Sequence, residues 1–302
     1  MAFADARAPQ AAGRTSAADG LPRLHVVRMT SVFEPARLTP AWVPYDPVGG
    51  MQNHTAELVR HLDRMGVRQT VYTSRLAGPA GCHRIGEHAA VVRTGVRMPM
   101  LRQLWTPPAL AAALRLPIPV DLVHAHTGED LAVLPAARAV AARRRCPLVV
   151  TVHCSLRHTV VAGSPRLAVL RAVGGTVERR MLAAADAVIT LTPSAARLLA
   201  ADGIPDDRLH VIPSGYAPDL FAGSAADPFP GLPRPRVAYV GRLAQQKGVD
   251  VLVEAFARLD ETASDATLLV VGDGPQRSRL ERQAAPLGRR VHFTGFLPHD
   301  RI

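Results

Sequence analysis

The sequence predicts an α/β protein with two parallel-sheet domains in tandem, the second incomplete. Three observations carry this. From Leu24 onward, short apolar runs alternate with stretches of helical periodicity, the pattern of βαβ units and a parallel sheet. The rhythm breaks once, over residues 216–235, where five prolines and few periodic apolar positions mark a linker. The length of 302 residues also suits two domains, at about 150 residues each.

Element by element, residues 24–29 read as the first strand. A helix follows over 49–65, where Met51, Leu58, Val59, Leu62 and Met65 recur near helical spacing. Strands are expected at 69–74 and 90–96. A short buried strand at 120–125 precedes an Ala-rich helix over 131–144, and Arg143, Arg144 and Arg145 stand at its end, where cations suit the dipole. The remainder of this half reads as strand 147–153, a helix within 165–184, strand 187–191, helix 194–201 and strand 209–213. After the linker come strand 236–240, helix 248–259, strand 267–271, helix 276–285 and strand 290–294. The domains are therefore 23–215 and 236–302, behind a disordered tail at 1–22. Only three strands are expected in the second domain, where a doubly wound sheet usually has about six. A fragment or a frameshifted product is the corresponding expectation.

Composition narrows the function. Hydrophobic residues are 48% and charged residues 20%, which suits a globular core and excludes disordered and collagenous chains. Three cysteines, Cys82, Cys146 and Cys154, form no disulfide framework and point to a reducing, cytoplasmic setting. No apolar run reaches the roughly 18 residues of a membrane span. The net charge of +11 favours phosphate-bearing partners, yet aromatic residues are only 4%, too few for stacking on bases, so nucleic acid is not the expected partner. Of the 36 basic residues, one is lysine, Lys247. In a chain that uses arginine almost everywhere, that position either calls for a compact ammonium rather than a planar fork or keeps its lysine by chance.

Several segments could carry chemistry. Gly49, Gly50, Met51, Gln52 and Asn53 open a helix, so glycine backbone and free N–H groups form an anion site; a simple glycine cap would look the same. Gly241, Arg242 and Lys247 follow a strand end, and two cations five residues apart suit a diphosphate. Gly272-Asp273-Gly274 begins like a dinucleotide fingerprint, but Arg277 stands where the third glycine belongs. His126 and His153 end two strands and either point into a cleft or sit in the core tethered to backbone. His124 shares a strand face with His126, yet no Cys-x-x-Cys or His-x-x-x-His reinforces a metal site, so no metal is expected. Asp46, Glu129 and Asp130 are loop carboxylates near the same cleft, able to orient an alcohol or bind an ammonium, or else ordinary surface carboxylates. Neither a Gly-x-Ser-x-Gly elbow nor a Walker A loop is present.

Together these segments resemble the bacterial GT-B glycosyltransferases of family 4. The runs VGGMQNHTAELVRHLDRMGVRQTVYTS, DLVHAHTGEDLAVL, VVTVHCS, AADAVITLTPSAARLL, LHVIPSGYAPDLF, VAYVGRLAQQKGVDVLVEAFARL, LLVVGDGPQRSRLERQ and VHFTGFLPHDRI carry the likeness over residues 24–302. YDPVGGMQ, VTVHCS, VVGDGPQR and FTGFLPHD are most similar to the 2-deoxystreptamine transferases of aminoglycoside biosynthesis, ahead of the mycothiol-type transferases that glycosylate inositol phosphate. The resemblance implies two Rossmann-like domains facing a cleft, a UDP-sugar donor, an aminocyclitol acceptor, and transfer of glucose or N-acetylglucosamine with retention and no required metal or other cofactor. It implies that Arg242 and Lys247 hold the diphosphate beside the Gly49–Gly50 turn, and that His153 meets the donor sugar near its anomeric centre. Asp46, Gln52, Asn53, His126, Glu129 and Asp130 become candidates for the acceptor side of the cleft. The family's paired donor-binding glutamates fall beyond residue 302. A UDP-N-acetylglucosamine epimerase, which shares the architecture, and an inactive remnant are the alternative readings.

Overall fold

The structure is a computed structural model that describes residues 24–34, 50–98, 103–128, 130–159, 168, 170–216, 223, 226–259 and 266–297. The tail at 1–22, Asp46, Gly49, Glu129 and parts of the expected linker and of the 165–184 helix lie outside them. The chain divides into two compact units at Tyr216/Ala217.

The first unit is built on an eight-stranded sheet. Its strands are β1 His25–Thr30, β2 Arg68–Ser74, β3 Gly81–Arg84, β4 Ala89–Thr94, β5 Leu122–Thr127, β6 Leu148–Val152, β7 Ala187–Thr190 and β8 Leu209–Val211. Their spatial order is β3-β4-β2-β1-β5-β6-β7-β8. Only β3 runs antiparallel, against β4. The helices are α1 Gly50–Arg64, α2 Thr106–Leu114, α3 Val133–Arg144, α4 Gly175–Ala183 and α5 Pro193–Ala201. A π-helical turn, Leu170–Gly174, leads into α4.

Two elements escaped the sequence reading, and each has a physical reason. Strand β3 is a short, largely exposed edge, so it carries no apolar alternation. Helix α2 begins Thr-Pro-Pro, which reads as a loop, but proline in a first helical turn removes only N–H groups that have no partner there. Strand β5 also runs two residues further than expected, to Thr127, which takes His126 inside the sheet.

The two faces of the central strands differ. One face presents Val27, Met29, Tyr72, Val123, Ala125, Leu148 and Val150 to a core completed by Trp105, Ala109, Val133, Ala137 and Val140 of the α2 and α3 segments. On the other face Val71, Val91 and Ala89 pack with Ala56 and Val59 of α1 and with Phe33. Next to that smaller core, register pairs Arg28 with His124, Thr30 with His126, and His126 with Thr151. Because paired residues in a sheet share a face, these polar side chains converge beneath α1.

The second unit is a parallel sheet in the order β11-β10-β9, formed by β9 Arg236–Val240, β10 Thr267–Val271 and β11 Val291–Gly295. Helices α6 Val249–Arg258 and α7 Arg277–Ala284 supply Val249, Val253, Phe256, Leu280 and Ala284 to a core with Leu268 and Val270. Arg236 closes the start of the unit by donating to both carboxylate oxygens of Asp227, at 2.8 and 2.9 Å.

Candidate active site

In the first unit the site is a histidine cluster over a buried cation. Arg28 is 1% exposed, yet its side chain stands in a strand whose residues are all buried. Its Nε donates to Gln69 Oε1 at 3.1 Å, and Gln69 Nε2 donates in turn to the Val59 carbonyl at 2.8 Å. Its Nη1 faces His124 Nδ1 at 2.7 Å and His126 Nε2 at 3.1 Å. Burial pulls the guanidinium down to about 9, which still leaves it a cation at neutral pH. Burial, with Arg28 and the neighbouring rings adding to it, holds His124 and His126 well below the ordinary histidine value.

His153 lies just past β6, where its N–H donates to the Thr127 carbonyl at 3.1 Å. Its Nε2 is 3.2 Å from His126 Nδ1, and the rings are near parallel with centroids 5.5 Å apart. The ring of His54, from α1, meets His153 edge-on at 4.9 Å. Burial, then His54, pushes His153 down to about 4, so it is neutral at neutral pH. His153 is half-buried, unlike His124 and His126. The loop that carries it is tied by Glu178 of α4. The Glu178 carboxylate accepts from Ser155 Oγ at 2.9 Å and from the Leu156 N–H at 3.2 Å. Its pKa is raised by burial against the pull of those hydrogen bonds.

Two of the cleft candidates lie inside the fold. His126 is fully buried, because β5 continues past it, and its ring nitrogens face Arg28 and His153. Asp130 is 3% exposed and accepts from Trp105 Nε1 at 3.0 Å and from the N–H of Ala132 at 2.7 Å, so its oxygens hold α2 and α3 together. Gln52 is buried and Asn53 exposed on the first turn of α1; Gly50 opens that helix, where the first N–H groups have no intrahelical acceptor. Among the described residues no group of three or more His, Cys, Asp or Glu is arranged to hold a metal ion.

In the second unit the strand ends are stitched together. The Gly241 N–H donates to the Val271 carbonyl, Leu243 to the Asp273 carbonyl, and Gly272 to the Gly295 carbonyl, all at 2.9 Å. The N–H of Gly241 is thus committed, and this glycine shapes the turn rather than offering its own donor to a phosphate. Arg242 is half-buried, and Lys247 is exposed at the end of a 3-10 turn, Gln245–Lys247, capped by left-handed Gly248. Among the described residues neither cation has a carboxylate partner. Arg28 and Glu178 were missed from sequence. The available signal was an arginine flanked by Val27 and Met29 within a strand run, alongside a His-x-His strand.

Comparison with known proteins supplies the family. The model for Glycosyltransferase Family 4 matches residues 48–220, and that for Glycosyl transferases group 1 matches residues 234–302. The 2-deoxystreptamine glucosyltransferase of Streptomyces kanamyceticus is 34% identical over 275 residues, 83% of this chain and 71% of that one. The 2-deoxystreptamine N-acetyl-D-glucosaminyltransferase of Streptomyces fradiae is 34% identical over 315 residues, 92% of this chain and 72% of that one. Among solved structures, Anabaena HepE in complex with UDP and glucose superimposes with a TM-score of 0.61 at 18% identity, over 91% of this chain and 70% of that one, which speaks for the fold. With its two parallel-sheet units, its His-bearing strand ends and its Arg/Lys loop, this chain belongs to the GT-B glycosyltransferases of family 4.

Proposed function

We propose that this glycosyltransferase moves a hexose, glucose or N-acetylglucosamine, from a UDP-sugar to a hydroxyl of an aminocyclitol such as 2-deoxystreptamine, with retention at the anomeric carbon. The observation that carries this reading is the pair of 2-deoxystreptamine transferases aligned along most of the chain, each at 34% identity. In this reading Arg242 and Lys247 bind the donor diphosphate. Both cations lack carboxylate partners among the described residues, which leaves their charge for a ligand. His153 contacts the donor sugar near C1.

The chemistry then proceeds on one face of the sugar. The bond from C1 to the phosphate oxygen breaks, the acceptor oxygen bonds to C1 on the same side, and the acceptor proton passes to the departing phosphate. Two cations on that phosphate stabilise the charge as it develops. The neutral state of His153 suits this step, since a cationic ring beside C1 would oppose the positive charge growing there.

The test is product analysis with UDP-glucose or UDP-N-acetylglucosamine and 2-deoxystreptamine. The expected product is a mono-hexosylated aminocyclitol with the donor's anomeric configuration. Turnover of UDP-N-acetylglucosamine to an epimer without acceptor, or transfer to inositol phosphate alone, would overturn the reading.

A further inference from the structure

The hydrogen bonds around Arg28 determine where each ring hydrogen of the histidine cluster resides. A guanidinium has five N–H donors and no acceptor. Each ring nitrogen that faces it must therefore carry a lone pair, so His124 Nδ1 and His126 Nε2 are both acceptors. A doubly protonated ring would have no lone pair to offer, so both rings are neutral with their hydrogen on the far nitrogen. For His124 this is Nε2–H, which donates to Thr151 Oγ1 at 2.8 Å. For His126 it is Nδ1–H, which faces His153 Nε2 at 3.2 Å and Thr55 Oγ1 at 3.5 Å. Thr55 has given its own hydrogen to the Met51 carbonyl at 2.7 Å, so it can only accept. The His126 hydrogen likewise makes His153 Nε2 an acceptor. The His153 hydrogen is left on Nδ1, which has no partner among the described residues.

We propose that Arg28 is a positioning residue that sets the tautomer of His124 directly and those of His126 and His153 in series, so that His153 reaches substrate as an Nδ1–H donor with its Nε2 already occupied. His153 is then a hydrogen-bond donor to an oxygen, not a general base through Nε2. Arg28 acts from inside the sheet, with two hydrogen bonds between it and the half-buried ring. The other charged or titratable groups facing the cluster point the same way. His54 stands edge-on to His153, and its shift is downward from burial and from Arg28. No carboxylate among the described residues pairs with Arg28, His124, His126 or His153. The functional consequence rests on the reading of His153 as the residue against the donor sugar; the tautomer series does not.

The test reads the ring nitrogens directly. Long-range proton–nitrogen NMR spectra of the full chain, labelled with nitrogen-15 histidine, are recorded at neutral pH without substrate, and His153 is assigned by its loss in His153→Gln. The expected spectrum has protonated nitrogens at Nε2 of His124 and at Nδ1 of His126 and His153. The Arg28→Lys variant, which keeps a cation with three donors, retains this pattern. The Arg28→Met variant loses it, and the His126 and His153 nitrogens shift toward the values of exchanging tautomers. Should Arg28→Met fail to fold, His126→Phe cuts the series while keeping the cation, and His153 alone is expected to shift. An Nε2–H at His153 in the unmodified chain overturns the proposal, as does an unchanged pattern in folded Arg28→Met or His126→Phe. Because no sugar is transferred in this measurement, its outcome is independent of the proposed donor and acceptor.

Discussion

At the residue scale, Asp130 satisfies a helix start from outside the helix. Ala132, at the cap position of α3, has no side chain to cap with; Asp130 Oδ1 takes the Ala132 N–H at 2.7 Å and the Val133 N–H at 3.3 Å, while Oδ2 takes the Trp105 indole. Asp130→Ala leaves buried donors unpaired and is expected to cost roughly 1–3 kcal/mol, read as a lowered melting temperature; an unchanged melt would show that water replaces the carboxylate. The opposite signature is expected at Lys247, which is exposed and whose side chain makes no hydrogen bond or ion pair among the described residues. Lys247→Ala should leave the melt unchanged and weaken UDP by roughly 1.5–3 kcal/mol in a calorimetric titration, the range for a charge-assisted contact. Equal affinity in the variant would remove Lys247 from the diphosphate site. The difference between these residues marks what was legible in sequence. Lys247 stood out as the sole lysine, and it lies exposed on the surface. Asp130 and His126 read as cleft groups because sequence shows that a side chain is polar, not which partners it has already taken.

At the element scale, strand and helix order follows from alternation of apolar runs, and strands β9 and β10 fall where expected at 236–240 and 267–271. Ends were harder where a polar residue continues a buried strand. His126 and Thr127 belong to β5 because the Arg28 network and the neighbouring strands satisfy them, a tertiary fact with no local signature. The glycine pair after β10 is a related case. Gly272-Asp273-Gly274 looks like part of a nucleotide fingerprint, but packing alone requires Gly272. At φ +135°, a Cβ added there would lie 1.9 Å from the Gly241 carbonyl oxygen. Gly272→Ala must therefore push apart the turns that follow β9 and β10 and break the Gly272-to-Gly295 hydrogen bond. A destabilisation of roughly 1–3 kcal/mol is expected from the backbone strain alone. Hydrogen exchange read by mass spectrometry should show faster exchange across 236–247 and 267–274, with β1 and β5 unchanged. Unaltered exchange in the second unit would mean that the turn relaxes freely.

At the scale of the whole molecule, the histidine cluster couples stability to pH, and the sign can be worked out. His25, His54, His124, His126 and His153 all have folded values below the ordinary 6.5, with burial the leading cause in each. On acidification below 6.5 the unfolded chain takes up these protons while the folded chain does not. The unfolded state then binds more protons, so stability falls with falling pH. The window opens at 6.5 and extends at least to about 4, the folded value of His153. One group opposes this: Glu178 is raised by burial, so the folded state binds its proton first, and acidification down to its ordinary 4.5 adds some stability. Asp227 is held low by Arg236 and contributes only below its ordinary 3.8, outside the window. Five histidines against one carboxylate give a net loss, and each proton of imbalance is worth about 1.4 kcal/mol per pH unit. All five lie in the first unit, as does the buried Trp105, so guanidinium melts followed by tryptophan fluorescence read the unit that carries the effect. Between pH 6 and pH 4.5 the unfolding free energy is expected to fall by more than one proton's worth per pH unit. His124→Asn, which removes one of the buried titratable rings, should flatten the slope. A free energy that stays level or rises across that window would mean that the buried histidines take up protons in the folded state, and that Arg28 does not hold them neutral.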